Sequence, residues 1–389
     1  MIATSLRTPV VLLLLTLSLA LAGCGTTGVH VCNASGTNCC GPCPLQPGPD
    51  MLYATTSLTN PNQILTMTID PKTGALSAAS STPGPSNSLG LTGVNSQFLF
   101  ASDTFSAEIF GYSINQTTGA LSAVAGSPFT TGLFSVPAGL GTAPGSPMSF
   151  LYAADVGGID GYSVDPTTGL PTLILGSPFP SGTNLWLTVD PSGKFLYSTD
   201  QDPPGGIFAF TIDSTGALTR VAGSPFTIPG QTVSNSQPAG IVDTGKFVYA
   251  GLSATGQIAA FSIVSATGAL TPVPGSPFAA GNNPDLLVLG GFDNFLYARN
   301  ASDGTISGYS IDPNSGVLSP VAGSPFPIPG VTLATDYLQQ YLYVTGAGGI
   351  QAFSIDSTTG ALTAVAGSPF PATGAFYMTT VQVPPSALW

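Results

Sequence analysis

Lys194-Phe195-Leu196-Tyr197-Ser198-Thr199-Asp200, Ile207-Phe208-Ala209-Phe210-Thr211-Ile212-Asp213, Gly216-Ala217-Leu218-Thr219-Arg220-Val221 and Gly223-Ser224-Pro225-Phe226 are four pieces of one unit, and that unit decides the fold. It recurs. The Leu-Tyr landmark returns as Leu52-Tyr53, Leu99-Phe100, Leu151-Tyr152, Val248-Tyr249, Leu296-Tyr297 and Leu342-Tyr343, giving seven copies 45 to 52 residues apart. Such a period marks a repeat architecture, in which each copy buries its apolar faces against its neighbours.

Within each copy the Leu-Tyr run and the aromatic-centred run read as strands. The turn after the second has a mechanism: Pro71, Pro166 or Pro313 presets φ, and Gly74, Gly169 or Gly316 accepts the left-handed position. The Gly-Ala-Leu-Thr strand follows, closed in six copies by Gly-Ser-Pro-Phe. A further strand precedes the next Leu-Tyr pair, as in Leu185 to Asp190 before Pro191-Ser192-Gly193. Four short strands per copy, A (innermost) to D (outermost), close radially into a propeller whose sheets stack face to face. The expected fold is therefore all-β: a seven-bladed β-propeller of four-stranded antiparallel blades over residues 51–389. Burial of both faces explains near-continuous Ala, Ser, Phe and Ile in place of alternating charge. At the rim, Gly-Ser-Pro interrupts the edge that other chains would pair with. The first copy begins at strand B, and a surplus strand, Ala375 to Val383, follows the seventh D strand. That surplus strand is expected to complete the first blade and close the ring.

Ahead of the repeats, Arg7 and the apolar run Val10 to Ala22 read as an export signal, too short to span a bilayer comfortably. The run ends in Leu21-Ala22-Gly23-Cys24, which resembles the bacterial lipobox. Residues 1–23 are then expected to be cleaved and Cys24 lipidated, which anchors the chain to a membrane. Gly25, where Asp would mark inner-membrane retention, leans toward the outer membrane or cell surface. Without Arg7 the chain keeps five Lys plus Arg against 18 acids, a net charge of −13. Nucleic acid is thus not an expected partner. Residues 24–50 form a Gly/Pro-rich tether holding Cys32, Cys39, Cys40 and Cys43. Outside the cytoplasm these are disulfide candidates, with three connectivities open. A zinc site joining them to His30 fits poorly, because two of the cysteines are adjacent, and no metal site is expected.

The repeat Phe-Leu-Tyr-x-x-Asp, then aromatic-Ser-Ile-Asp, then Thr-Gly-Ala-Leu-Thr resembles the lactonase-like seven-bladed propellers, which include the propeller-type 6-phosphogluconolactonase. The resemblance covers residues 51–389 and implies hydrolysis of a sugar lactone near one mouth of the central channel. The chain departs from such an enzyme in its chemistry. No histidine follows His30, and Glu108 is the one glutamate. A Ser-His-Asp nucleophile is therefore excluded from the propeller. Lys72, Lys194, Arg220, Lys246 and Arg299 occupy scattered repeat positions, unlike the clusters that phosphate favours.

Antiparallel order sends the A-to-B and C-to-D turns to one end of the ring and the B-to-C and D-to-A loops to the other. Asp70, Asp165, Asp213, Asp312 and Asp356 recur in C-to-D turns, and Asp190, Asp243, Asp293 and Asp336 in A-to-B turns. Those nine read as turn caps. The opposite, less regular end carries Asp103, Asp155, Asp200, Asp202 and Asp303 with Arg299, and these are the ligand-face candidates. Arg299 reads as an orienting group or as the partner of Asp303. Asp200-Gln201-Asp202 offers oxygens to Ca²⁺ but lacks the distal Glu of a full calcium loop, so no cofactor is expected and Ca²⁺ is the one candidate. Trp186 could stack on a sugar, though on an A strand it reads as core. The preferred function is a non-catalytic envelope propeller that binds a carbohydrate or protein. The alternative is a sugar-lactone hydrolase using one of these carboxylates to activate water.

Overall fold

The computed structural model describes residues 30–32, 39–41, 49–57, 61–131, 137–145, 148–183, 185–202, 205–231 and 237–383. The expected export signal, the expected lipidation position Cys24, and Cys43 lie outside the described residues. Among the described residues no helix is long and apolar enough to cross a membrane. The chain divides into two units, 1–46 and 47–389. In the first, His30–Cys32 and Cys39–Gly41 pair antiparallel with Cys32 opposite Cys39.

The second unit is the expected propeller: seven antiparallel sheets, each with the four strands A to D in order. Blade 1 has strands Ala375–Gln382, Asp50–Thr56, Gln63–Ile69 and Leu76–Pro83. Blade 2 has Leu91–Val94, Phe98–Asp103, Glu108–Ile114 and Leu121–Ala123. Blade 3 has Leu140–Ala143, Ser149–Asp155, Gly158–Val164 and Pro171–Leu173. Blade 4 has Leu187–Val189, Phe195–Asp200, Gly206–Ile212 and Leu218–Arg220. Blade 5 has Pro238–Asp243, Phe247–Leu252, Gln257–Ile263 and Leu270–Pro272. Blade 6 has Pro284–Gly290, Phe295–Asn300, Thr305–Ile311 and Leu318–Pro320. Blade 7 has Leu333–Thr335, Tyr341–Gly346, Gly349–Ile355 and Leu362–Ala364. The strand Ala375–Gln382 pairs with Asp50–Thr56 from Asp50↔Gln382 to Thr56↔Ala375, so the last strand of the ring closes the first blade.

The landmark tyrosine ties each blade to the next. Tyr53, Tyr152, Tyr197, Tyr249 and Tyr297 donate their hydroxyls to the carbonyls of Gly119, Gly216, Gly268, Gly316 and Gly360 in the following blade's C-to-D turn, at 2.7 to 3.1 Å. Tyr343 of blade 7 completes the circle by donating to the Gly74 carbonyl of blade 1. Blade 2 carries Phe100 at this position, so its seam with blade 3 lacks the latch. The turn must be glycine there: a Cβ on Gly74, whose φ is +71°, would stand 2.2 Å from the Tyr341 ring.

The Gly-Ser-Pro-Phe motif does more at the rim than end a strand. In six blades the D strand breaks after three residues and resumes at the motif's Phe, as Phe129–Thr130, Phe226–Thr227 and Phe278–Ala279 or as single bridges from Phe179, Phe326 and Phe370. Across the break, Ser127, Ser177, Ser224, Ser276, Ser324 and Ser368 accept the N–H of Gly111, Gly161, Ala209, Ala260, Gly308 and Ala352 at 2.9 to 3.0 Å. A hydroxyl thus replaces the missing backbone carbonyl, and no buried N–H is orphaned. Blade 1 has no such motif. Its D strand runs unbroken for eight residues, most of them exposed.

Candidate functional site

The irregular end is where the sequence placed the ligand-face candidates, and each carboxylate there is occupied with its own loops. Asp103 is buried at the end of a B strand. Its Oδ2 accepts the N–H and hydroxyl of Ser86, both at 2.7 Å, and its Oδ1 accepts the N–H groups of Phe105 and Ser106. Burial works against its ionisation, yet those donors outweigh it and hold the carboxyl below the usual range. Asp155, also buried, accepts the N–H of Val156. Asp202 accepts the Thr183 N–H at 2.9 Å and the Thr183 hydroxyl at 2.8 Å. Asp303 binds the N–H and side-chain amide of Asn282, at 2.6 and 2.8 Å, which lower its pKa. The bonds from Ser86, Thr183 and Asn282 tie a D-to-A connector to the neighbouring B-to-C loop and brace the rim, whereas that of Asp155 stays within its own loop.

Asp200 differs. Burial raises its pKa and the nearby Asp202 carboxylate adds to that, against the Asp202 N–H at 3.0 Å and the Arg220 charge. Arg220 itself lies over the Phe208 ring, 4.7 Å from its centroid, and donates to the Pro180 carbonyl. No three His, Cys, Asp or Glu side chains among the described residues are placed to share a metal ion.

Arg299 does not pair with Asp303 as the sequence suggested. It forks onto Asp285, Nε to Oδ1 at 2.9 Å and Nη2 to Oδ2 at 2.5 Å, the one ion pair among the described residues. The reason is a register shift. Between Pro284↔Asn300 and Leu286↔Arg299 the blade 6 A strand carries an extra residue, Asp285, and a bulge re-aims the side chain it holds. Burial pushes the Asp285 carboxyl up, and the guanidinium offsets only part of that rise. A raised carboxylate clamped by a bidentate cation on the innermost strand is the arrangement closest to a catalytic acid or base in this propeller.

One aromatic contact spans the channel on this side. Trp186, just before the A strand of blade 4, stacks on Tyr377 of the blade 1 A strand, with centroids 6.2 Å apart and planes inclined by 22°. Those blades are three apart in the ring, so their innermost residues meet only across the axis. Trp186 is therefore a channel plug packed against the core cluster of blades 4 and 5.

At the other end the expectation that the A-to-B aspartates cap turns holds for Asp190 and Asp336, which accept the N–H groups of Lys194 and Phe195 and of Gln340 and Tyr341. Asp243 departs from it. Only its Oδ1 is bonded, to the Gly245 N–H, and its Oδ2 is buried without a partner. Burial raises its pKa to about 7, aided by the Asp190 and Asp293 carboxylates. Asp50 behaves alike, pushed to about 6 by burial and Asp336 although Tyr337 donates its N–H. Asp285, Asp50 and Tyr377 were not singled out from the sequence. An acid set between Pro284 and Leu286-Leu287 on an innermost strand is the signal that could have marked the first of them.

The family model of lactonases with a seven-bladed β-propeller matches residues 224–334, from the end of blade 4 to the start of blade 7. No curated protein sequence matches the chain. Among solved structures, a Bacteroides fragilis protein provisionally described as a 6-phosphogluconolactonase is 19% identical, with 88% of this chain and 100% of that one covered and a TM-score of 0.68. The periplasmic gluconolactonase of Pseudomonas aeruginosa is 17% identical, covering 87% and 100%, with a TM-score of 0.65. A Bacteroides uniformis protein described like the first is 18% identical, covering 86% and 100%, at 0.66. The chain resembles the lactonase-like seven-bladed propellers, and at these identities the structural likeness establishes the fold.

Proposed function

We propose that this protein is a binding propeller of the cell envelope, held to the membrane through a lipid on Cys24 and facing the outer membrane or cell surface. Its ligand is a carbohydrate or a protein. The observation that carries this reading is that Asp103, Asp155, Asp202 and Asp303, among the described residues of the irregular face, are each committed to donors of their own loops. The aromatic plug supports it, because a substrate entering the channel would first have to part Trp186 from Tyr377.

A second reading, hydrolysis of a sugar lactone, is favoured by one specific observation: the stretch matching the lactonase family model includes Asp285 and Arg299. There Arg299 would orient the lactone's carbonyl oxygen, and Asp285 would take a proton from the water attacking that carbonyl carbon and return it to the ring oxygen as the ester C–O bond breaks, giving the open hydroxy acid. One assay separates the two. Gluconolactone and 6-phosphogluconolactone hydrolysis is measured with the purified protein, with Asp285→Asn, and with the triple variant Asp155→Asn/Asp200→Asn/Asp303→Asn. The binding reading expects the protein and its variants to match the uncatalysed rate. Turnover that disappears in Asp285→Asn and survives in the triple variant would replace it with the hydrolase.

A further inference from the structure

One seam departs from the repeat in a way that leaves room for a ligand. The fifth residue of the C strand is aromatic in six blades: Tyr112, Tyr162, Phe210, Phe261, Tyr309 and Phe353. In blade 1 it is Met67. Two of the three phenol hydroxyls at this position reach the blade before, and that of Tyr162 donates to Asp160 of its own strand. Tyr112 donates to the Pro83 carbonyl at 2.9 Å and Tyr309 to the Ala279 carbonyl at 2.6 Å, each on the outer strand of the blade before. Ala279 follows the motif phenylalanine Phe278, and the residue in that place at the blade 7 to blade 1 seam is Pro371, after Phe370. No donor among the described residues reaches the Pro371 carbonyl. A cleft of about 370 Å³ opens at this place, walled by Leu65, Met67 and Ala78 of blade 1 and by Pro371, Ala372 and Thr373 of blade 7. A hollow of about 380 Å³ also lies between blades 2 and 3, beside Tyr162 with its hydroxyl on Asp160.

We propose that the blade 7 to blade 1 cleft binds a small phenolic molecule, its ring beside Met67 and its hydroxyl donating to the Pro371 carbonyl. The chain itself supplies the template, since tyrosines of blades 2 and 6 already make this contact at their seams. Leu65, Met67 and Pro371 favour a ring, and the polar side chains of Gln63, Thr66 and Ser80 in the same wall favour one that carries a polar group. This site lies on the outer part of a seam, away from the channel, so its failure would leave the reading of the irregular face untouched.

The test is calorimetric titration of the full chain with p-cresol, toluene and N-acetyltyrosinamide. The expected result is saturable p-cresol binding, with toluene about fivefold weaker for want of the hydroxyl. Met67→Tyr should remove p-cresol binding and raise Tm, because the protein's own ring then fills the cleft. Ala78 is exposed on the edge strand, so Ala78→Phe blocks the same space without touching the core and should also abolish binding. Toluene binding as tightly as p-cresol, no saturable p-cresol binding, or p-cresol binding that persists in Ala78→Phe would overturn the proposal. N-acetyltyrosinamide binding more tightly than p-cresol would overturn the small-molecule occupant in favour of a tyrosyl side chain.

Discussion

Replacing Asp243 by Asn should stabilise the protein at neutral and alkaline pH, and the gain should vanish in acid. The carboxyl is 7% exposed, its Oδ2 has no partner, and Asp190 and Asp293 face it with like charge. Its pKa rises from 3.8 to about 7. At about 1.4 kcal/mol per pKa unit, holding the ionised form in the folded state costs about 4 kcal/mol, which local relaxation and water entry reduce to about 2 to 3 kcal/mol. The sign follows from linkage. Below pH 3.8 the group is protonated folded and unfolded, and no cost arises. Between 3.8 and about 7 the unfolded chain releases a proton that the folded chain keeps, so stability falls as pH rises. Asn carries no charge, and its Oδ1 still accepts the Gly245 N–H. Urea unfolding at constant ionic strength should therefore show Asp243→Asn more stable by about 2 to 3 kcal/mol at pH 8, with the two proteins converging near pH 4. Asp50 acts in the same direction up to about pH 6 but is present in both proteins and cancels from the difference. An Asn variant equal to or weaker than the parent at pH 8, or a gain that grows on acidification, would refute the reasoning.

Truncation after Pro371 should abolish cooperative unfolding, because it strips the A strand from the buried B strand of blade 1; an unchanged Tm by circular dichroism would contradict this. Ser276→Ala leaves the Ala260 N–H without its acceptor inside the sheet and should cost about 1 to 3 kcal/mol in denaturant unfolding, whereas a loss below about 0.5 kcal/mol would mean that water restores the bond. Phe100→Tyr should supply the latch missing between blades 2 and 3 by donating to the Gly169 carbonyl. A gain of about 1 kcal/mol is expected in the same measurement, and a destabilised variant would show that the seam has no space for the hydroxyl.

The architecture was legible because its determinants are local and repeated seven times. A Leu-Tyr pair, an Asx-capped turn and a Gly in the left-handed position mean the same thing in each copy, and the missing first A strand pointed to the surplus strand from Ala375 onward. Two features of the rim were not legible. That Ser276 and its equivalents stand in for a backbone carbonyl depends on where two chain segments meet, and nothing in Gly-Ser-Pro-Phe specifies the partner. The candidate site was harder still. Asp103 and Asp303 sit where a ligand face was expected, but their partners Ser86 and Asn282 lie 17 and 21 residues away on the preceding connectors. Arg299 took Asp285 over Asp303 because a one-residue bulge, invisible to the repeat spacing, turned the acid toward it.

The shared first blade sets an order of events during synthesis. Its B, C and D strands leave the ribosome before the other six blades, while the A strand that completes it, Ala375–Gln382, follows all of them. Six blades can form as they emerge, each complete in itself, but the nascent chain keeps an open, adhesive edge until that strand has been made. Premature release, or a stalled C-terminus, therefore yields a chain with most of its secondary structure and an unsatisfied strand edge, the form most prone to recruit another copy or a chaperone.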